Sequence, residues 1–211
     1  MKLVIIGPPG SGKGTQARMI AEKYNVPHIE AGKLLREAVA DKSKLSDEEK
    51  NIMERGELLP DTFVADVLTI RLMEPDAKNN FVLDGYPRTL RQAELLERIS
   101  RIDLVMNILL SPTEIVKRLS GRRSCTNCDA VYNVMINPPK QEGICDECKG
   151  ALFIREDDRS GVIEHRIEVY NERTRPLIEY YEHRNLLVSI DGSGMILEIF
   201  DNAIKVLENR L

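Results

Sequence analysis

The chain of 211 residues has no long apolar run at its start: after Lys2 come only Leu3-Val4-Ile5-Ile6 before Gly7-Pro8-Pro9-Gly10 breaks the pattern. Such a run is too short for a secretory leader or a membrane span, and neither is expected. Charge of one sign is not in excess either. With 30 Lys and Arg against 34 Asp and Glu, the formal charge is −4, and nothing draws the chain toward nucleic acid or an anionic membrane. An anionic ligand would therefore need positive charge gathered locally. Internal repeats and low-complexity linkers are absent, which fits one compact unit with inserts, or at most two small domains. Cysteine is scarce: the 4 residues form two close pairs in one short region. With no sign of secretion, such pairs read as metal ligands before disulfides, and the cytoplasm is the expected compartment. Against these absences, 42% hydrophobic residues is ordinary and suffices for a real core.

The hydrophobic pattern alternates short β-branched runs with helical segments. Strands are expected at Lys2 to Ile6, His28-Ile29, Phe81 to Leu83, Leu104 to Leu110 and Leu186 to Ile190. Helices are expected at Lys13 to Tyr24, Leu34 to Val39, Asp47 to Glu54, Thr62 to Met73 with Asp61 as its cap, and from Pro112 to Ser120. Two more are expected at Ile163 to His183 and Met195 to Glu208. Alternation of this kind implies an α/β fold in which helices wrap a parallel sheet. The stretch Gly121 to Asp158 breaks the rhythm with its cysteine pairs, Pro138-Pro139 and many polar residues.

Gly7-Pro8-Pro9-Gly10-Ser11-Gly12-Lys13-Gly14-Thr15 follows a predicted strand and opens a predicted helix, the context in which a glycine-rich loop cradles phosphate. Glycines let the backbone turn several N–H groups into one concavity, and the helix N-terminus adds partial positive charge. Lys13 is placed to reach the outer phosphates, and Thr15 to offer a hydroxyl near a metal. A plain Gly-Pro turn is the bland alternative. The loop departs from the usual triphosphatase pattern at Gly14, where Ser or Thr would follow the lysine directly.

Cys125-Thr126-Asn127-Cys128 and Cys145-Asp146-Glu147-Cys148 are separated by 16 residues, a spacing that suits a four-cysteine zinc site. Four thiolates would close a tetrahedron and leave no place for a substrate, so such a zinc would be structural. A segment this small needs help to fold, which metal supplies, two disulfides being the alternative.

GPPGSGKGTQ resembles the phosphate loop of adenylate kinases and other nucleoside monophosphate kinases, and the likeness runs along essentially the whole chain. Gly32-Lys33-Leu34-Leu35-Arg36 is similar to the family's acceptor-helix motif, and Asp84-Gly85-Tyr86-Pro87-Arg88-Thr89 to its DG-aromatic-PR motif. Arg118 with Gly121-Arg122-Arg123, then Arg155-Glu156-Asp157-Asp158, resemble the two edges of its lid. The resemblance implies a three-layer P-loop fold with a parallel five-stranded sheet. The core would comprise 1–29, 60–120 and 159–211, with a monophosphate-binding insert at 30–59 and a zinc-binding lid at 121–158.

It also implies transfer of the γ-phosphoryl of MgATP to a monophosphate. That reaction joins two charged phosphate chains, so neutralisation and positioning matter more than a general base. The implied ATP site is Gly10, Ser11, Gly12, Lys13, Gly14, Thr15, Arg118 and Arg122, with Arg118 on the donor adenine. The acceptor site is Ala31, Arg36, Gly85, Arg88, Gln92, Arg155 and Arg166. Lys13, Arg88, Arg122, Arg155 and Arg166 would be catalytic, with Asp84 orienting Mg²⁺ through water. Arginine suits these places because its planar fork binds phosphate oxygens in pairs and keeps its charge. Asp157 and Asp158 are either partners of these arginines or solvated charges.

Two features pull apart on the acceptor. Typical adenylate kinases have Thr-Gly-Asp where this chain has Ala31-Gly32-Lys33, and alanine there resembles UMP/CMP kinases. Gln92 matches the glutamine that reads adenine, since an amide donates and accepts at once. AMP is the expected acceptor, UMP or CMP the alternative. A nucleotide-hydrolysing P-loop protein is less favoured, because no Asn-Lys-x-Asp stretch is present. A zinc-ribbon module binding nucleic acid would need a basic, aromatic surface, whereas the insert carries many acids. The partners expected are small nucleotides, and the chain is expected to act as a monomer.

Overall fold

A computed structural model describes residues 1–40, 47–128 and 130–210; part of the expected insert, 41–46, lies outside them. Five strands, β1 (Lys2–Ile6), β2 (His28–Glu30), β3 (Phe81–Asp84), β4 (Leu104–Leu109) and β8 (Leu187–Asp191), form one sheet in the order β2-β3-β1-β4-β8, every pair parallel. Side chains alternate faces along a strand, and here both faces are covered. Leu3 and Ile5 of β1 join one apolar cluster with Ala17 and Ile20 of α1 (Lys13–Tyr24) and Ile199 and Ala203 of α9 (Ile196–Arg210). Val4 and Ile6 join another with Leu68 of α4 (Asp61–Leu72), Leu96 of α5 (Leu90–Ile99) and Leu177 of α8 (Leu177–Glu182). Helix, sheet, helix makes the three-layer α/β fold expected.

Several expectations change at the element ends. The helix expected from Leu34 starts earlier, as α2 at Ala31, directly after β2. Helix α3 spans Asp47–Glu54, as expected. Helix α5 was not foreseen, although Thr89 caps it by accepting from the Gln92 N–H at 3.1 Å and Ala93 and Leu96 turn inward. Asp61 does not cap α4. It is the first helical residue, behind Pro60, and its carboxylate is bonded across to the start of α5 instead.

Pro112 opens α6 (Pro112–Ser120) as foreseen, and Ser111 caps it by accepting from the Glu114 N–H. The single helix expected from Ile163 to His183 is three pieces: α7 (Val162–Val169), a π-helical turn at Tyr170–Thr174, and α8. Pro176 cannot donate to the helical ladder, and the wider turn lets Thr174 donate to the Arg88 carbonyl at 2.9 Å.

Between α6 and α7 the chain builds a second sheet, antiparallel, from β5 (Arg122–Cys125), β6 (Val131–Asn133) and β7 (Leu152–Phe153) in the order β6-β5-β7. Its apolar centre is small: Cys125, Ala130, Tyr132 and Cys145.

Candidate active site

The C-terminal ends of β1 and β3 open into a cleft of about 410 Å³, at the strand ends where parallel α/β sheets bind ligands. The loop after β1 lies at its centre. Gly10 and Gly12 have φ of 76° and 89°, left-handed values that suit glycine, and Gly12 leads straight into α1. The ammonium of Lys13 folds back to donate to the Pro8 carbonyl at 3.1 Å. Loss of water lowers the Lys13 pKa to about 8; Asp84 opposes the shift, while Arg88, Arg166 and Arg122 add to it.

Asp84, at the end of β3, is 5% exposed. Burial pushes its carboxyl up, with Lys13 pulling the other way, and its Oδ1 has no hydrogen-bond partner. A β-carbon at Gly14 would stand 3.0 Å from Asp84 Oδ2. That accounts for the glycine directly after the lysine, where a Ser or Thr would crowd the carboxylate.

Two arginines from separate elements are organised by two acids, and a third by a serine. Arg122, at the start of β5, meets Asp158 through Nε and Nη2, both at 2.6 Å; Arg166 of α7 meets the same carboxylate at 2.8 Å and Asp157 Oδ2 at 3.0 Å. The Asp158 side chain is fully buried. Burial raises the Asp157 pKa, yet Arg166, Arg122, Arg155 and Arg36 outweigh it and hold the group low. Arg155 donates to Ser124 Oγ at 2.8 Å, and its pKa falls to about 10 through burial and the nearby Arg122 and Arg36. It remains a cation near neutrality.

On the other side of the cleft, Arg88 Nε donates to the Gly85 carbonyl at 2.8 Å, and burial lowers its pKa. Arg36 pairs with Glu30 at 2.9 Å. Gln92 is 2% exposed, with Asp61 and the Arg88 backbone as partners.

The fold thus brings Gly10, Gly12, Lys13, Gly14, Thr15, Arg36, Asp84, Gly85, Arg88, Gln92, Arg118, Arg122, Arg155 and Arg166 to one cleft. Arg118 reaches it with Nη2 on the Gly192 carbonyl at 2.7 Å. Ser11 and Ala31 are placed differently: Ser11 is wholly buried beneath the loop, and Ala31 is 1% exposed within the apolar core. Four acids at the cleft or behind it have no such role in the sequence reading alone: Glu30 carries no signal, Asp61 reads only as a helix cap, and for Asp157 and Asp158 an arginine partner is one option of two. Their signal is a partner close in space, an arginine for Glu30, Asp157 and Asp158 and the pair Thr89 and Gln92 for Asp61, and spacing does not carry it.

The four cysteine sulfurs lie within 4.8 Å of one another, with Cys125–Cys148 at 3.3 Å and Cys128–Cys145 at 3.6 Å. A disulfide needs about 2.05 Å, and all four are free thiols. A zinc tetrahedron with bonds of about 2.3 Å has edges of roughly 3.8 Å, so the donor set fits a metal.

The chain is similar to known proteins over nearly its whole length. The family model described as "Adenylate kinase" matches residues 5–186. The chain is 48% identical to an adenylate kinase of Methanothrix thermoacetophila, over 98% of each chain. It is 44% identical to that of Caldicellulosiruptor saccharolyticus, over 98% of this chain and 99% of the relative. For the adenylate kinase of Archaeoglobus fulgidus the figures are 43%, 99% and 98%.

Proposed function

The chain belongs to the adenylate kinase family, and from that premise we propose how its own side chains divide the work of phosphoryl transfer. Its function is that of an adenylate kinase, a phosphotransferase moving a phosphoryl group between ATP and AMP. The observation that carries the residue assignment is the meeting of Lys13, Arg88, Arg122, Arg155 and Arg166 at one cleft in a chain whose net charge is −4.

In this reading the backbone of Gly10 to Thr15 and the Lys13 ammonium hold the β- and γ-phosphates of ATP, with Arg118 beside the donor base. Arg36 and Arg88 hold the phosphate of AMP. Arg122, Arg155 and Arg166 face the group in transfer, where they neutralise the charge spread over its oxygens. The acceptor oxygen is already anionic near neutrality, its second pKa being about 6, so no side chain has to take a proton. The acids serve as holders: Asp157 and Asp158 keep Arg122 and Arg166 in place before substrate arrives. Substrate phosphates also stabilise the charge on Lys13, since anions favour its protonated form.

Two metals fit residues of the chain. Asp84, with an unpartnered buried oxygen, would hold Mg²⁺ through water, and the ion would neutralise charge on the ATP phosphates. Cys125, Cys128, Cys145 and Cys148 would hold Zn²⁺, which would brace the second sheet. The chain then divides as its elements suggest: a core of 1–29, 60–120 and 159–211, an acceptor insert at 30–59 and a lid at 121–158. Among the described residues no helix is long and apolar enough to cross a membrane. Unpaired cysteines favour a reducing cytoplasm, and a monomer suffices because every assigned group comes from one chain.

Ala31 does not line the cleft, so its missing hydroxyl bears little on the acceptor, and AMP is favoured over UMP and CMP. Metal-loaded protein with MgATP should convert AMP with a higher kcat/KM than UMP, CMP or GMP. Faster turnover of UMP or CMP would overturn the base assignment. ATP consumed equally without any acceptor would overturn the transfer reading itself.

A further inference from the structure

The Gln92 amide is held by two groups that each act in one sense only. Its Oε1 accepts from the Arg88 backbone N–H at 2.7 Å, and its Nε2 donates to Asp61 Oδ1 at 2.8 Å. A backbone N–H can only donate, and a carboxylate can only accept. Turned over, the amide would set its NH₂ against the Arg88 N–H and its oxygen against the carboxylate. Asp61 is itself fixed, since the same Oδ1 accepts from Thr89 Oγ1 at 3.0 Å.

We infer that Asp61 is a specificity-determining positioning residue: by locking the Gln92 amide in one of its two orientations, it makes the acceptor site favour an amino-bearing base edge over a carbonyl-bearing one. This rests on the reading that Gln92 faces the acceptor base, which its place in the cleft lining supports. An amide has two N–H donors and two acceptor lone pairs. Asp61 and Arg88 occupy one of each, leaving a single N–H and a single lone pair in a fixed order. Adenine presents an amino hydrogen beside a ring-nitrogen lone pair and matches that order. Hypoxanthine presents a carbonyl oxygen beside a ring N–H, the reverse. Cytosine shares the order of adenine, and uracil that of hypoxanthine. The lock therefore ranks AMP above IMP, and CMP above UMP. Where the buried polar groups of a site go unpaired, discrimination is large.

The test compares kcat/KM for AMP and IMP, whose bases differ only at position 6 and the adjoining ring nitrogen, in the native protein, Asp61→Asn, Asp61→Glu and Gln92→Ala. Asparagine keeps the shape of Asp61 but can donate as well as accept, so it lifts one of the two constraints on the amide and leaves only the Arg88 N–H opposing the turn. The AMP/IMP ratio should fall by about tenfold or more in Asp61→Asn, mainly through KM, with kcat for AMP little changed. Asp61→Glu, still an acceptor only, should retain most of the native ratio. A merely structural role would lower both substrates together. Melting curves establish that each variant is folded, and Asp61→Ser replaces Asp61→Asn if the latter is not. A folded Asp61→Asn protein with the native ratio, beside a Gln92→Ala protein that has lost it, overturns the role of Asp61 and leaves Gln92 as the reader. A native ratio in both overturns the Gln92 assignment and the inference with it.

Discussion

The two sheets of this molecule hold the charged groups of the cleft in opposite ways. The five-stranded sheet is sandwiched between two apolar layers, and Leu3 to Ile6 of β1 are essentially withdrawn from water. It presents Asp84 from the end of β3 and Lys13 from the start of α1, and neither can shift without breaking a close-packed core. The three-stranded sheet has an apolar centre of four residues, two of them cysteines, yet it presents Arg122 and leads into Arg155. A unit of that size cannot stabilise itself by burial alone. The glycine-rich loop is placed by hydrophobic packing, whereas the second sheet has its thiol cluster and the Arg122–Asp158–Arg166 contacts at its root to hold it.

The largest effect is expected on the rigid side. Lys13→Ala should lower kcat/KM by ~10³-fold or more, by analogy with losses of cationic groups at transferring phosphates, while the melting temperature stays near the native value. Steady-state kinetics and calorimetry would check it. A modest loss of rate would mean that the core side is not where transfer is controlled.

At the other sheet the effect should be smaller on rate and larger on local order. Cys145→Ser, or removal of metal by a chelator, should release on the order of several kcal/mol of metal-linked folding energy. The amides of 122–153 should then exchange with deuterium much faster while those of β1, β3 and β4 keep their protection. Uniform loss of protection would show that the two sheets are not separately stabilised.

The smallest effect sharpens the contrast through pH. Lys13 has its pKa lowered to about 8, so raising the pH through that value removes the charge from the free protein. Bound phosphates stabilise the charged form, and ATP affinity should therefore fall as pH rises above about 8, by at most ~10-fold per unit for one proton. Titration calorimetry from pH 7 to 9.5 would follow it, and Lys13→Arg should flatten the profile.

Much of the fold was legible because its signals are local. The run Leu3 to Ile6 and the glycine-rich loop after it announce a buried strand and a phosphate cradle within a dozen residues. Pro112 marks a helix start. Helix α5 was missed because the segment after Arg88 was read as a motif, although Leu90, Ala93 and Leu96 carry its spacing. The long helix before β8 was overdrawn because periodicity does not register the wider turn at Tyr170–Thr174, which meets Arg88 across 86 residues of chain. Asp61 was read as a cap because it precedes an apolar helical run, and the pull of Thr89 and Gln92 is invisible at that range.

By itself the sequence determined the alternation of strands and helices, the phosphate loop and the close cysteine pairs, because each depends on residues near one another along the chain. Only the tertiary structure decided that Asp158 binds two arginines, that Gly14 makes room for Asp84, and that Gln92 is held in one sense between Asp61 and Arg88. The partners in these contacts approach from positions such as 36 and 31 residues apart, and it is burial that selects among them. Removed from water, a charge or amide must find a partner, and which partner is within reach depends on how the sheets and helices pack.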